Sequence, residues 1–203
     1  MEDVIASPLP RESRTDSDER QERAWIEASR KGDPAAFNRL VLKWERRVYN
    51  LVLRMLGNRE DAAETTQEIF LAVFRAIGRF QHQARFSTWL YRIAVNHCLT
   101  RLRRRPPLIQ SMDEQDEHAV PFGERLGTAD HQDRDLLRLE RRHIVRQSLA
   151  GLSHEQRVVV ELKFFQEETF LSISEILRVP ESTVKSRFYA ALEVLKGRLG
   201  ALE

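Results

Sequence analysis

Between Glu68 and Asp113 the chain has no acidic residue, yet Arg75, Arg79, Arg85, Arg92, Arg101, Arg103, Arg104 and Arg105 all fall inside. Cations without counter-charges nearby in sequence suit a polyanion, and phosphate is the chemistry they address. The densest part, FSTWLYRIAVNHCLTRLRRR from Phe86 to Arg105, has a helical period. At 100° per residue Phe86, Leu90, Tyr91, Ile93, Ala94, Val95, Cys98 and Leu102 fall on one broad apolar side. Thr88, Arg92, Asn96 and Arg103 keep a narrower polar strip, bordered by Trp89. Arg would contact phosphate, while Phe80, Phe86 and Trp89 offer aromatic faces. Stacking on such faces is worth about 1–3 kcal/mol per unpaired base, of the order needed to extrude one from duplex. An opened strand therefore fits this surface. A core helix with a solvated charged tail would carry the same residues.

Two further constellations stand out. In the preceding helix, about Arg59 to Gly78, the residues Asp61, Glu64, Thr65, Glu68 and Leu71 share one face, with Gln67 on its border. Like charges at this spacing weaken a helix slightly, and an apolar Leu71 among them resembles a docking surface as much as a solvated face. Near the C-terminus, a short helix (Phe170, Ile173, Ile176, Leu177), a turn at Arg178-Val179-Pro180 and a long final helix make a helix-turn-helix pattern. The final helix stripes Val184, Phe188, Ala191, Leu192, Leu195 and Leu199 on one side. Ser182, Lys185, Ser186 and Tyr189 lie opposite, with Thr183 beside them and Arg187 toward phosphate. Those groups at a helix N-terminus suit base edges in a major groove.

The elements that must position these groups are all helical. Asp33-Pro34 is an N-cap acid followed by proline at the first helical position. From there Phe37, Leu40, Val41, Trp44, Val48, Leu51, Val52 and Met55 form an unbroken stripe ending at Gly57, and Asn58 caps the next helix. Upstream, a short helix turns Trp25, Ile26 and Ser29 inward and stops at Gly32; inward residues of the acidic-faced helix are Ala62, Thr66, Ile69, Phe70, Val73, Phe74 and Ile77. Pro106-Pro107 ends the basic helix. From Asp113 to Asp135 eight acids face only two arginines, Arg125 and Arg134, with no helical or strand period. Helical period resumes at Leu137, Ile144, Val145 and Leu149, and Ser153 with Gln156 is a capping box.

The expected fold is all-α, two small helical domains joined by a flexible acidic linker. Its divisions are a disordered tail (1–17), a first domain (18–105), the linker (106–135) and a second domain (136–203). The net charge of +2 over 203 residues conceals this segregation. A single cysteine, Cys98, excludes a disulfide within the chain and reads as a small buried hydrophobe. No apolar run reaches the roughly 18 residues of a membrane span, and Glu2 and Asp3 argue against a secretory leader. A cytoplasmic protein without membrane insertion is expected. His82, His97, His118, His131, His143 and His154 have no metal-ligand spacing, and no carboxylate cluster sits by the basic surface. Neither a catalytic residue, nor a metal, nor a cofactor is expected.

Three of these segments resemble one family in the right order. FSTWLYRIAVNHCLTRLRRR is similar to the promoter-melting helix of the sigma-70 family of bacterial transcription initiation factors. DAAETTQEIFLAVFRAI resembles that family's adjoining helix that binds core polymerase, and STVKSRFYAALEVL its helix that reads the −35 promoter element. Two such modules joined by a short acidic linker resemble the extracytoplasmic-function subgroup, over about Glu22 to Leu199. The resemblance implies a region 2 bundle and a region 4 helix-turn-helix. It implies that Asp61, Glu64, Thr65, Gln67, Glu68 and Leu71 contact the clamp helices of the polymerase largest subunit. Arg79, Phe80, Arg85, Ser87, Thr88, Trp89, Arg92, Asn96 and Arg103 would bind the −10 element, the loop Arg79–Arg85 holding a flipped base. Ser182, Thr183, Lys185, Ser186, Arg187 and Tyr189 would bind the −35 element.

The subgroup also usually has an anti-sigma factor, so one is an expected partner beside polymerase and promoter DNA. Departures are Ser172, Ser174, Arg178 and Ser182, where the family usually has Glu, Ala, Gly and Gly. A linker of roughly 30 residues averages about 30 Å end to end and extends to about 100 Å. The two promoter elements, about 17 pairs apart in the family, lie about 55–60 Å apart, so a partly stretched linker spans them. The competing class is a dimeric helix-turn-helix regulator that never touches polymerase, and it has no use for the acidic face.

Overall fold

The computed structural model describes residues 12–104 and 151–199, and every element among them is helical. The segments read as linker (106–135) and as a helix from Leu137 to Leu149 lie outside the described residues, as do residues 1–11 of the tail. The first domain comprises α1 (Glu12–Arg30), α2 (Pro34–Leu56), α3 (Arg59–Ala76) with a 3-10 turn at Ile77–Arg79, and α4 (Phe86–Arg104). Helix α1 thus begins inside the segment read as a tail.

Helix α2 is the spine. Asp33 Oδ1 accepts from the Ala35 and Ala36 amides at 2.8 and 3.2 Å, satisfying two of the helix's free N–H groups. At the other end Gly57 takes φ +78°, a left-handed value that suits glycine, and its amide closes on the Leu53 carbonyl at 2.8 Å. Asn58 then accepts from the Asp61 amide at 3.0 Å and starts α3. Leu40, Trp44, Val48, Leu51, Val52 and Met55 along α2 are buried, and α1, α3 and α4 all pack on this helix. From α4 come Phe86, Leu90, Tyr91, Ala94, Val95 and Cys98, the apolar side expected from the sequence. Phe74, expected inward, is 51% exposed, because it sits in the last turns of α3 and only its ring packs on Phe37, edge-on at 5.0 Å.

The second domain holds α5 (His154–Val160), a π-helical turn over Glu161–Phe165, α6 (Phe170–Leu177) and α7 (Glu181–Leu199). Ser153 and Gln156 complete the capping box in both directions. Thr169 Oγ1 caps α6 by accepting from the Ser172 amide at 3.0 Å. Arg178 occupies the left-handed region at φ +54°, which explains why a glycine would suit this turn. Val158, Val159, Leu162, Ile173, Ile176, Val184 and Phe188 are buried, and this core runs continuously into that of the first domain. The two domains are therefore docked: α6 lies on α4, and α5 and the π turn lie on α2.

Candidate nucleic-acid interface

The basic surface is built from α4 and the loop before it. Arg79, Arg85, Asn96 and Arg103 are exposed, with Ser87 half-buried. The loop is pinned from α1, because His82 Nε2 meets Glu27 Oε1 at 2.5 Å from a left-handed backbone at φ +55°. That contact, followed by the Arg30 guanidinium, lowers the Glu27 pKa.

The aromatic residues divide differently from expectation. Phe80 is 4% exposed, with its centroid 5.1 Å from Trp89 and 5.8 Å from Phe86. It is the inner wall of an aromatic cluster rather than a face for a base, because the 3-10 turn before it carries the side chain inward. Trp89 is half-buried at the cluster's edge, so only part of its ring is available. The polar strip is also unevenly open. Thr88 is 2% exposed, its Oγ1 3.2 Å from Ser172 Oγ, and Arg92 Nη2 donates to the Glu175 carbonyl at 3.0 Å. Both partners belong to α6. The far half of the strip, Asn96 and Arg103, is uncovered.

On α3, Glu64, Gln67, Glu68 and Leu71 are exposed. Thr65 is not. It is 0% exposed, and its Oγ1 is buried without a hydrogen-bond partner. Helix α3 packs against both α2 and α4, so its buried arc is wider than the apolar stripe and takes in Thr65. Asp61 and Glu64 are both held from α4, by Arg101 Nη2 at 2.7 and 2.5 Å, and His97 Nδ1 stands 3.7 Å from Glu68. Between the helices lies a cleft of about 640 Å³ lined by Asp61, Glu68, Asn96, His97, Thr100, Arg101 and Arg104. Acidic and basic surfaces are thus the two lips of one groove. Cys98 lies behind it, its thiol pushed up to about 12 by burial.

In the helix-turn-helix, Ser182, Lys185, Ser186 and Tyr189 are exposed, and Thr183 and Arg187 are half-buried. Ser186 Oγ donates to the Thr183 carbonyl at 3.0 Å, which leaves its lone pairs outward. Lys185 Nζ pairs with Glu181 at 2.6 Å, and that contact raises the lysine pKa, so its charge is secure. The Tyr189 ring stands out beside Phe188.

Sequence reasoning missed the groups that join the domains. Arg54 grips Glu161 with two hydrogen bonds of 2.5 and 2.7 Å, and Glu161 is 1% exposed. Burial raises the Glu161 pKa, and Arg54 opposes that rise. Gln166 donates to the same carboxylate at 3.0 Å and accepts from the Tyr91 hydroxyl at 2.7 Å. Burial likewise pushes the Tyr91 pKa up. The only sequence signal was a lone acid in the apolar run VVVELKFF.

Residues 40–106 match the family model for Sigma-70 region 2, and residues 142–195 that for Sigma-70, region 4. The RNA polymerase sigma-H factor of Pseudomonas aeruginosa is 30% identical over 186 residues, covering 90% of this chain and 95% of that protein. The ECF RNA polymerase sigma factor SigW of Bacillus subtilis is 31% identical over 176 residues, 86% of this chain and 94% of the relative. The structure of CnrH in complex with the cytosolic domain of CnrY shares the fold at a TM-score of 0.66 and 20% identity, over 89% of this chain and 98% of that one. Two region models in chain order, and relatives matched along nearly the whole length, place the chain in the extracytoplasmic-function group of the sigma-70 family: it is an RNA polymerase sigma factor.

Proposed function

We propose that this sigma factor docks on core polymerase through the exposed part of the α3 face, Glu64, Gln67, Glu68 and Leu71, with Asp61 at its edge. Helix α4 and the Arg79–Arg85 loop take the −10 element, and α7 reads the −35 element through Lys185, Ser186 and Tyr189. Strand opening becomes cheaper because polymerase and the unpaired strand are held together. The observation that supports this reading is the shared groove of α3 and α4, which sets carboxylates on one lip against guanidinium groups on the other. The second domain supplies the address reader.

An anti-sigma factor is the natural further partner. CnrH is solved in complex with the cytosolic domain of CnrY, and the sigma factor RpoE of Bartonella quintana in complex with the anti-sigma factor NepR. Run-off transcription with purified core polymerase on random-spacer promoter libraries tests the reading. New start sites that depend on the added chain are expected, and their absence would refute it.

A further inference from the structure

Residues 80–85 join the 3-10 turn at Ile77–Arg79 to α4. Gln81, His82, Gln83 and Arg85 are exposed, so packing does little to define the shape of this loop. Among the described residues, one side-chain hydrogen bond ties the loop to a helix outside its flanks: His82 Nε2 to Glu27 Oε1 of α1, at 2.5 Å. His82 holds φ +55°, a value that residues with a Cβ keep only where a contact compensates. Its ring also packs on Phe80, centroid to centroid 4.7 Å, and Phe80 packs in turn on Trp89 of α4.

The tether is rooted in a fixed element. Arg30 Nη1 donates to both Glu27 oxygens, at 2.9 and 3.2 Å, and so holds the carboxylate in place. Helix α1 is itself fastened to α2: Ile26 is buried, Glu22 Oε1 accepts from the Trp44 indole at 2.6 Å, and Glu22 Oε2 meets Lys43 Nζ at 3.2 Å. The residues on either side of His82 pair with one another, Gln83 Nε2 donating to Gln81 Oε1 at 3.0 Å. That bond leaves both N–H donors of Gln81 and the carbonyl oxygen of Gln83 unspent. Amide donors and an acceptor are the groups that match a base edge.

We propose that Glu27 is a positioning residue for −10 recognition: from α1 it fixes His82, and thereby sets the Gln81–Gln83 amide pair as the edge that a base held in the loop must match. The inference rests on the −10 role given above to the Arg79–Arg85 loop. It adds α1 to the recognition machinery without requiring any residue of α1 to touch DNA. The physical reason is preorganisation. A loop that holds its binding shape only a fraction of the time loses affinity for the matching base by that fraction. A mismatched base gains nothing from the shape, so lost order shows first as lost discrimination. Glu27 stays ionised for this task, because the His82 hydrogen bond, and then Arg30, lowers its pKa.

The test is run-off transcription by the full chain with core polymerase, on a barcoded promoter library randomised across the −10 element. Each template's output then gives a base preference at each position. Glu27→Ala and His82→Ala are each expected to cut the preference at one position about three- to tenfold, as the loss of one charge-assisted hydrogen bond implies. Preferences at the other positions should hold. The double variant should be no worse than His82→Ala, since both substitutions remove the same contact. Glu27→Gln, which keeps an acceptor oxygen, should retain most of the preference. A Glu27→Ala profile equal to the parent's, an even loss at every position, or additive losses in the double variant would each overturn the inference alone. A parent chain with no base preference at any −10 position would overturn the underlying reading, and the inference with it.

Discussion

Reversing two charges on α3, Glu64→Arg with Glu68→Arg, is expected to sever polymerase association and spare the fold. The fold cost is small because the pairs lost are largely solvated. The Glu64 side chain is 63% exposed where it meets Arg101, and Glu68 is 51% exposed and 3.7 Å from His97. Exposed pairs of this kind contribute about 0.2–1 kcal/mol each, against about 5–15 kcal/mol for a typical domain. Asp61 keeps its own bond to Arg101 at 2.7 Å, so the guanidinium is not stranded. At the docked interface each carboxylate would face a cation at about 4 Å, worth about 1 kcal/mol in water and about 4 at an effective dielectric of 20. Taking about 1–2 kcal/mol per reversed charge at a partly wet rim, the pair costs about 2–4 kcal/mol, or about 30- to 1,000-fold in Kd. The assay is an anisotropy titration of labelled full chain with core polymerase, with circular dichroism on the same sample. An unchanged affinity in a folded variant would refute the docking face, and a wild-type affinity indifferent to salt would undercut its electrostatic basis.

Lys185→Ala is expected to weaken promoter-duplex binding and to flatten the slope of log affinity against log salt by about one; an unaltered slope means that Lys185 meets no phosphate. Arg178→Gly should relieve about 1–2 kcal/mol of left-handed strain while adding about 0.5–1 kcal/mol of chain entropy to the unfolded state. The net gain is between zero and about 1.5 kcal/mol, and a lower denaturation midpoint would refute it. Cys98 should resist a thiol reagent at mild alkaline pH in the native chain and react once denaturant is added. Its folded pKa of about 12 lies above the ordinary thiol value of 9.0, so its contribution to stability is complete below 9.0 and fades as pH climbs toward 12. The wild type should therefore lose stability faster than Cys98→Ala across that window, and parallel losses would dismiss the burial argument.

What the sequence made legible was local. Asp33-Pro34, Gly57, Asn58 and Ser153 with Gln156 announce helix ends through contacts within a few residues, and each cap is formed. The α2 stripe is likewise a property of one helix against one core. Thr65 and Phe80 were misplaced for a shared reason: their burial depends on where a second element lies. Helix α3 has two neighbours rather than one, and Phe80 follows a short 3-10 turn to which no apolar period applies. Thr88 and Arg92 were rightly set on a polar strip, but its cover comes from α6, more than 80 residues away in the chain. Glu161 was the hardest. Its one nearby hydrogen-bond donor, Gln166, is neutral, and the charge that pairs with it, Arg54, lies 107 residues earlier.

Arg101 leaves α4 to hold two carboxylates of α3, and that placement has a mechanical meaning. A clamp that drew Asp61 and Glu64 toward itself would release a guanidinium onto the lip proposed to take the promoter strand. Seizing the enzyme would then sharpen the grip on the nucleic acid, with one side chain carrying the message across a single groove.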